Sequence, residues 1–201
     1  MSFEDLLTQR VTIKRETDEL LAATTILATH TLTYQPSEEA TLHIVLAGCA
    51  DGTGTVNIIG TVSGVSVTET LTFTGNGFEE TINEFTEVAA ITTTRLIDEA
   101  TVGTLAVKAR TAAGAPLYQE VTIESSRKMR IRARSGSIRI MQAGQKEVVN
   151  YEGYCETGTD IQAKDFVYPS GTSDKYIADF INSVRGQSAV HHKEVDLRKV
   201  E

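Results

Sequence analysis

The chain has 201 residues, of which 40% are hydrophobic and 23% charged, with 15 glycines, three prolines and no tryptophan. That composition suits one large domain or two small ones with a real core, and it excludes a low-complexity chain. The net charge of −8 favours solubility and argues against wholesale nucleic-acid binding, which leaves only a local basic patch to consider.

Two cysteines, Cys49 and Cys155, lie far apart. They read as free thiols of a reducing compartment, because a disulfide framework uses more cysteines than this. The opening MSFEDLLTQR is acidic and has no apolar h-region, so a secretory signal is not expected. The longest apolar run, IVLAGCA, is too short to span a bilayer. The expectation is a soluble protein made in the cytoplasm, with no membrane partner.

RVTIKRE alternates, Val11 and Ile13 facing one way and Thr12 and Lys14 the other, and predicts a half-buried strand. Leu20 to Tyr34 reads as a second extended segment, although DELLAATTILA also fits a short helix. From Pro36 onward short strands and turn signals follow each other closely. ATLHIVLA predicts a strand, and GTVNIIGTVSGVSVTETLTFTG a hairpin turning near Gly64. GNG at Gly75–Gly77 marks another reversal, because glycine and asparagine accept positive φ at little cost. EFTEVAAITTT and VGTLAVKARTAAGAPLYQEVTI add strands and a further hairpin. Six or seven short strands over about ninety residues predict an inserted, Ig-like β-sandwich over 36–124. Threonine, abundant throughout, favours pleated surfaces.

Charge is distributed unevenly. Residues 36–124 hold twelve acidic and three basic side chains, a net −9, so the remainder is slightly basic. That basic part is concentrated in SSRKMRIRARSGSIRIMQAGQK, with Arg127, Lys128, Arg130, Arg132, Arg134, Arg139 and Lys146 and no acid between the first and last. Met129, Ile131 and Ala133 alternate with Arg130, Arg132 and Arg134, which predicts a strand with one cationic face. Ser135–Ser137 would turn it, and Ile138 and Ile140 would begin the return. Such a face suits phosphate contact, or pairing with acidic groups of a neighbouring subunit. No aromatic residue interleaves the arginines, so base stacking is not expected.

VVNYEGYC predicts a strand, with a loop at Pro169–Ser173 after DFVYP. KYIADFINSVRG fits either a helical or a strand face. It is read as a strand that turns at Gly-Gln-Ser into AVHHKEVDLRKV. Within that last run His191, His192, Lys193, Glu194, Asp196 and Arg198 form a candidate assembly edge. His191 and His192 suggest a metal, but neighbours on a strand point to opposite faces and cannot easily share an ion. No G-x-S-x-G, Walker-type or dinucleotide-binding loop is present. Catalysis, a metal and a cofactor are therefore not expected.

Three stretches carry a resemblance: LLTQRVTIKRE at one end, YEGYCETGTDIQAKDFV with KYIADFINSVRG, and the closing HHKEVDLR. Together they resemble head-closure, or stopper, proteins of tailed bacteriophages, members of the head-to-tail connector group. The resemblance covers residues 1–35 and 125–201, and the 36–124 insert departs from the simplest members. It implies an all-β chain whose two ends form a small β-barrel (1–35 and 125–201) with the sandwich (36–124) between them. It also implies a virion protein of the neck, in six- or twelve-fold rings of itself, with portal and adaptor proteins above and tail proteins below. The arginine hairpin would either line the channel and meet packaged DNA through backbone contacts or meet an acidic neighbouring subunit, and the C-terminal strand would pair by edge addition with an adjoining ring. A reading from another class is a carbohydrate- or cell-surface-binding β-sandwich module. The scarcity of aromatics in the insert weighs against it.

Overall fold

A computed structural model describes residues 7–49, 53–94, 103–133, 150–185 and 190–200. These are strands, turns and loops without a helix, so the all-β expectation holds. The chain divides into two compact units. One comprises Met1–Glu16 with Glu120–Glu201, the other Thr17–Gln119.

The first unit is a closed six-stranded barrel. Its strands are β1 (Gln9–Thr17), β10 (Gln119–Ala133), β11 (Asn150–Cys155), β12 (Phe166–Pro169), β13 (Lys175–Arg185) and β14 (Val190–Val200). Around the barrel the order is β1-β10-β11-β14-β13-β12. Strand alternation fills the interior: Val11, Ile13, Met129, Cys155, Val195 and Leu197 are fully or almost fully buried, as period-two patterning requires. Gly153 also faces inward, where a Cβ would meet Leu197 Cδ1 at 3.0 Å and Met129 Sδ at 3.3 Å. The expected strands RVTIKRE, NYEGYC, KYIADFINSVR and VHHKEVDLRKV are all present, and the last two form a hairpin. The Gly-Gln-Ser turn lies outside the described residues.

Two polar clusters tie the barrel strands together. Asp165, only 1% exposed, accepts Arg15 Nε at 2.7 Å, Arg15 Nη2 at 2.9 Å and the Gln162 amide at 2.8 Å. Glu120 accepts from Lys175 Nζ and from the Tyr168 hydroxyl (2.6 Å), with Lys14 Nζ at 3.8 Å. Desolvation pushes the Glu120 carboxyl up. The hydrogen bonds from Lys175 and Tyr168 and the charges of Lys175 and Lys14 outweigh it, so the group titrates below the usual glutamate range. A carboxyl depressed on folding stabilises the barrel above its unfolded pKa, and that contribution fades as pH falls through the folded value. Glu120→Gln is therefore expected to cost about 1 kcal/mol at neutral pH. It should also flatten the acid limb of a stability–pH curve measured by urea titration. An unchanged acid limb would show that the cluster contributes nothing.

The second unit is a sandwich of two four-stranded sheets. The first has the order β2-β9-β4-β7, with β2 (Glu19–Thr25), β4 (Thr41–Ala47), β7 (Gly77–Glu80) and β9 (Thr104–Arg110). The second has the order β3-β8-β5-β6, with β3 (Thr29–His30), β5 (Thr53–Val62), β6 (Val65–Thr74) and β8 (Glu87–Thr94). Leu42, Ile44, Leu105 and Val107 of one sheet share a core with Val56, Ile58, Phe73 and Ile91 of the other. The β5–β6 hairpin turns at Ser63 (φ 46°) and Gly64 (φ 80°), both left-handed, as a two-residue type I′ turn requires.

Two expectations need correction. The barrel is expected to include residues 17–35, but β2 pairs with β9 and β3 with β8, so they belong to the sandwich. The unit boundaries consequently fall at Glu16/Thr17 and Gln119/Glu120, not at 35/36 and 124/125. The hairpin expected across RTAAGAPLYQ shrinks to a single bridge, Arg110 to Pro116, because β9 is already flanked by β2 and β4 and β10 continues into the barrel. The extended reading of Leu20 to Tyr34 holds over β2 and β3, and the alternative helix for DELLAATTILA is absent, since Leu20 and Leu21 are needed in a sheet that buries them.

Candidate interaction face

Met129 is fully buried and Ile131 partly so, whereas Arg130 and Arg132 are exposed. The expected alternation therefore turns the β10 arginines to the outer surface of the barrel. The strand they pair with is β11, Met129 opposite Cys155 and Ala133 opposite Tyr151. Arg134, Arg139, Lys146, the Ser135–Ser137 turn and the expected return strand at Ile138 and Ile140 lie outside the described residues.

Registers place the other candidate group beside this one. Arg132 lies opposite Glu152, which lies opposite Asp196. Arg130 lies opposite Tyr154, which lies opposite Glu194. One outer face thus runs from two arginines on β10, through a glutamate and a tyrosine on β11, to acids on β14. Arg132 donates to Glu152 Oε2 from Nε at 3.2 Å and from Nη2 at 2.9 Å. Its guanidinium also lies 5.0 Å from the centre of the Tyr154 ring and donates to the Tyr154 hydroxyl. An aromatic residue does meet the arginines, supplied by the next strand and not by the arginine run itself. Arg127 is held by Glu124, Nε to Oε2 at 2.8 Å and Nη2 to Oε1 at 2.7 Å. Lys128 is half-buried. Among the described residues, Arg130 is the exposed cation of this strand without an ion-pair partner.

On β14 the structure changes the expectation more. From Lys193 to Arg198 the strand is bonded to β11 on one side and to β13 on the other. It has no edge there to offer an adjoining ring, because closing the barrel consumes it. Its side chains remain at the surface: Glu194 and Asp196 half-buried, and Arg198 paired with Asp179 at 3.2 Å. Lys193 lies on the opposite side and donates to the Thr159 carbonyl at 2.6 Å.

The two histidines also behave differently from expectation. Val184 pairs with His192 and Arg185 with Val190, so His191 is an extra residue, a β-bulge. A bulge breaks the strict alternation of faces, and the rings meet, Nδ1 to Nδ1 at 3.0 Å, with His192 Nε2 3.4 Å from Glu194. Among the described residues no three of His, Cys, Asp and Glu gather as a metal-ligand set. Both cysteines are buried and unpaired with each other, and burial pushes the Cys155 thiol up to about 11.

Comparisons with protein families, curated proteins and solved structures return no match to this chain.

Proposed function

We propose that this chain is a structural, ring-forming protein of a tailed-phage neck that closes the filled head and offers a docking surface for the tail. The observation that supports this reading is a closed barrel made from both chain ends, with the sandwich inserted between β1 and β10. That is the architecture which the resemblance in LLTQRVTIKRE and HHKEVDLR implies. The mixed-charge outer face of β10, β11 and β14 suits contact between subunits, since like surfaces carrying both signs can meet without net repulsion.

The reading is tested by mixing the purified chain with portal and adaptor proteins and imaging the products by negative-stain electron microscopy. Six- or twelve-fold rings stacked under the portal are expected, and a strictly monomeric species in every mixture would overturn the reading. The arginines divide the roles further. Arg130 has no ion-pair partner among the described residues, while Arg132 is engaged by Glu152. Arg130→Ala is accordingly expected to leave rings intact and to weaken DNA retention, with the deficit against wild type shrinking as salt rises. If rings fail to form instead, Arg130 serves subunit pairing and not DNA.

A further inference from the structure

Among the described residues the sandwich leaves four strand edges, and three of them are protected. β2 is broken by two register shifts, β3 is two residues long, and β7 is four residues long with Glu79 and Glu80 at its end. Short length, irregularity and charge are the ordinary devices that keep sheet edges from pairing. The fourth edge, β6, is neither short nor irregular, and its one charge, Glu69, is turned to the inner face and already engaged. It runs for ten residues, VSVTETLTFT, without proline or lysine, and pairs with β5 from Thr53↔Thr74 to Val62↔Val65 without a register shift.

The hairpin turn fixes which groups face outward. A two-residue turn closes on a hydrogen-bonded pair, here Val62 and Val65. Alternation then points the backbone N–H and C=O of Ser66, Thr68, Thr70, Thr72 and Thr74 away from β5. Among the described residues these groups bond to no other strand. The side chains of the same five residues lie on the outer face, because Leu71 and Phe73 are the buried ones. The one charged residue of β6, Glu69, is already engaged: it accepts the Ile82 amide at 2.6 Å and the Asn83 amide at 3.1 Å.

We infer that β6 is a self-pairing edge, at which a second copy of this chain adds its own β6 antiparallel and joins two four-stranded sheets into one of eight. The sequence is self-complementary about Thr70. A two-fold axis there sets Thr70 against Thr70, Thr68 against Thr72 and Ser66 against Thr74 of the second copy. Each of these is a hydroxyl pair of the kind that favours cross-strand contact. Charge points to the same occupant. The sandwich unit carries twelve acidic and three basic residues, so two copies meeting elsewhere would oppose acid to acid, whereas this row is uncharged. The inference does not rest on the phage reading, since it concerns the sandwich alone.

Thr70 gives a register-specific test in the full chain. Cα atoms of a hydrogen-bonded antiparallel pair lie about 5.5 Å apart, within disulfide reach. Thr70→Cys should therefore give a covalent dimer under mild oxidation on a non-reducing gel. Thr68→Cys, which would face Thr72 of the second copy, should not, nor should Thr94→Cys on β8. Light scattering during size exclusion should show Thr70→Lys reducing the wild-type mass by about half, as like charges meet on the axis, with Thr94→Lys leaving it unchanged. A wild-type chain that stays monomeric at every concentration overturns the inference. So does equal crosslinking by all three cysteine variants, or loss of mass with Thr94→Lys as well.

Discussion

Asp165→Ala is expected to destabilise the barrel by about 3 kcal/mol, because it removes one partner of a buried ion pair and leaves the other. The Asp165 side chain is 1% exposed and that of Arg15 26%. Both carboxylate oxygens are used, since Oδ1 accepts Arg15 Nε while Oδ2 accepts Arg15 Nη2 and the Gln162 amide. These bonds join β1 to the loop before β12, so losing them loosens the seam where the two ends of the chain meet. The partial exposure of Arg15 lets water recover some of the cost, which is why the estimate sits at the lower end for buried pairs. Urea unfolding combined with hydrogen exchange distinguishes a local from a general effect. Val11, Ile13 and Ala178 should lose protection, while Val56 and Ile58 of the sandwich keep theirs. An unmoved barrel transition would show that the pair contributes no net stability.

The second large effect is expected at Gly60. A Cβ there would lie 2.3 Å from the Glu87 carbonyl oxygen and 2.7 Å from Phe85 Cδ1. The first of these atoms is backbone, held in a ladder where Gly60 pairs with Val88 and Thr61 with Glu87. The second belongs to the fully buried Phe85. Neither can yield without moving the sheet, so Gly60→Ala is expected to cost about 3 kcal/mol, the upper part of the range for overpacking. Gly153 makes the contrast. Its nearest obstacle is the end of the Leu197 side chain at 3.0 Å, which can rotate, so Gly153→Ala should cost distinctly less. Paired urea titrations of the two variants decide this, and a Gly60 variant as stable as wild type would refute the packing account.

Local patterns were legible in the chain and long-range pairings were not. Val11 and Ile13 stand out because period-two alternation is written into six consecutive residues, and both are buried. The β5–β6 turn was legible because two-residue hairpins need positive φ in the turn, which Gly64 adopts at no steric cost. The assignment of β2 and β3 was hidden, since β2 lacks a clean alternation, β3 is two residues long, and only β9 and β8, more than sixty residues away, decide it. Alternation makes the Arg130 and Arg132 face legible, yet the pairing of Arg132 with Glu152 depends on the β10–β11 register, which neither strand spells out alone. Likewise nothing in AVHHKEVDLRKV distinguishes an edge strand from a closed one. The bulge at His191 is a property of β14 against β13 together, visible in neither strand alone.

The insertion point has a consequence for how the molecule is made. β1 needs β12, whose first residue is Phe166, so an N-terminal strand waits through some 150 residues of synthesis for its partner. The sandwich, complete by Gln119, is finished long before. Domains tend to fold as soon as they emerge, so this one would form on the ribosome and draw Glu16 and Glu120 together. In doing so it replaces a long floppy loop by a short rigid one and lowers the entropy of closing the barrel. The insert would then act as a scaffold in time: the last unit to be explained by the chain's outline is the first to be folded.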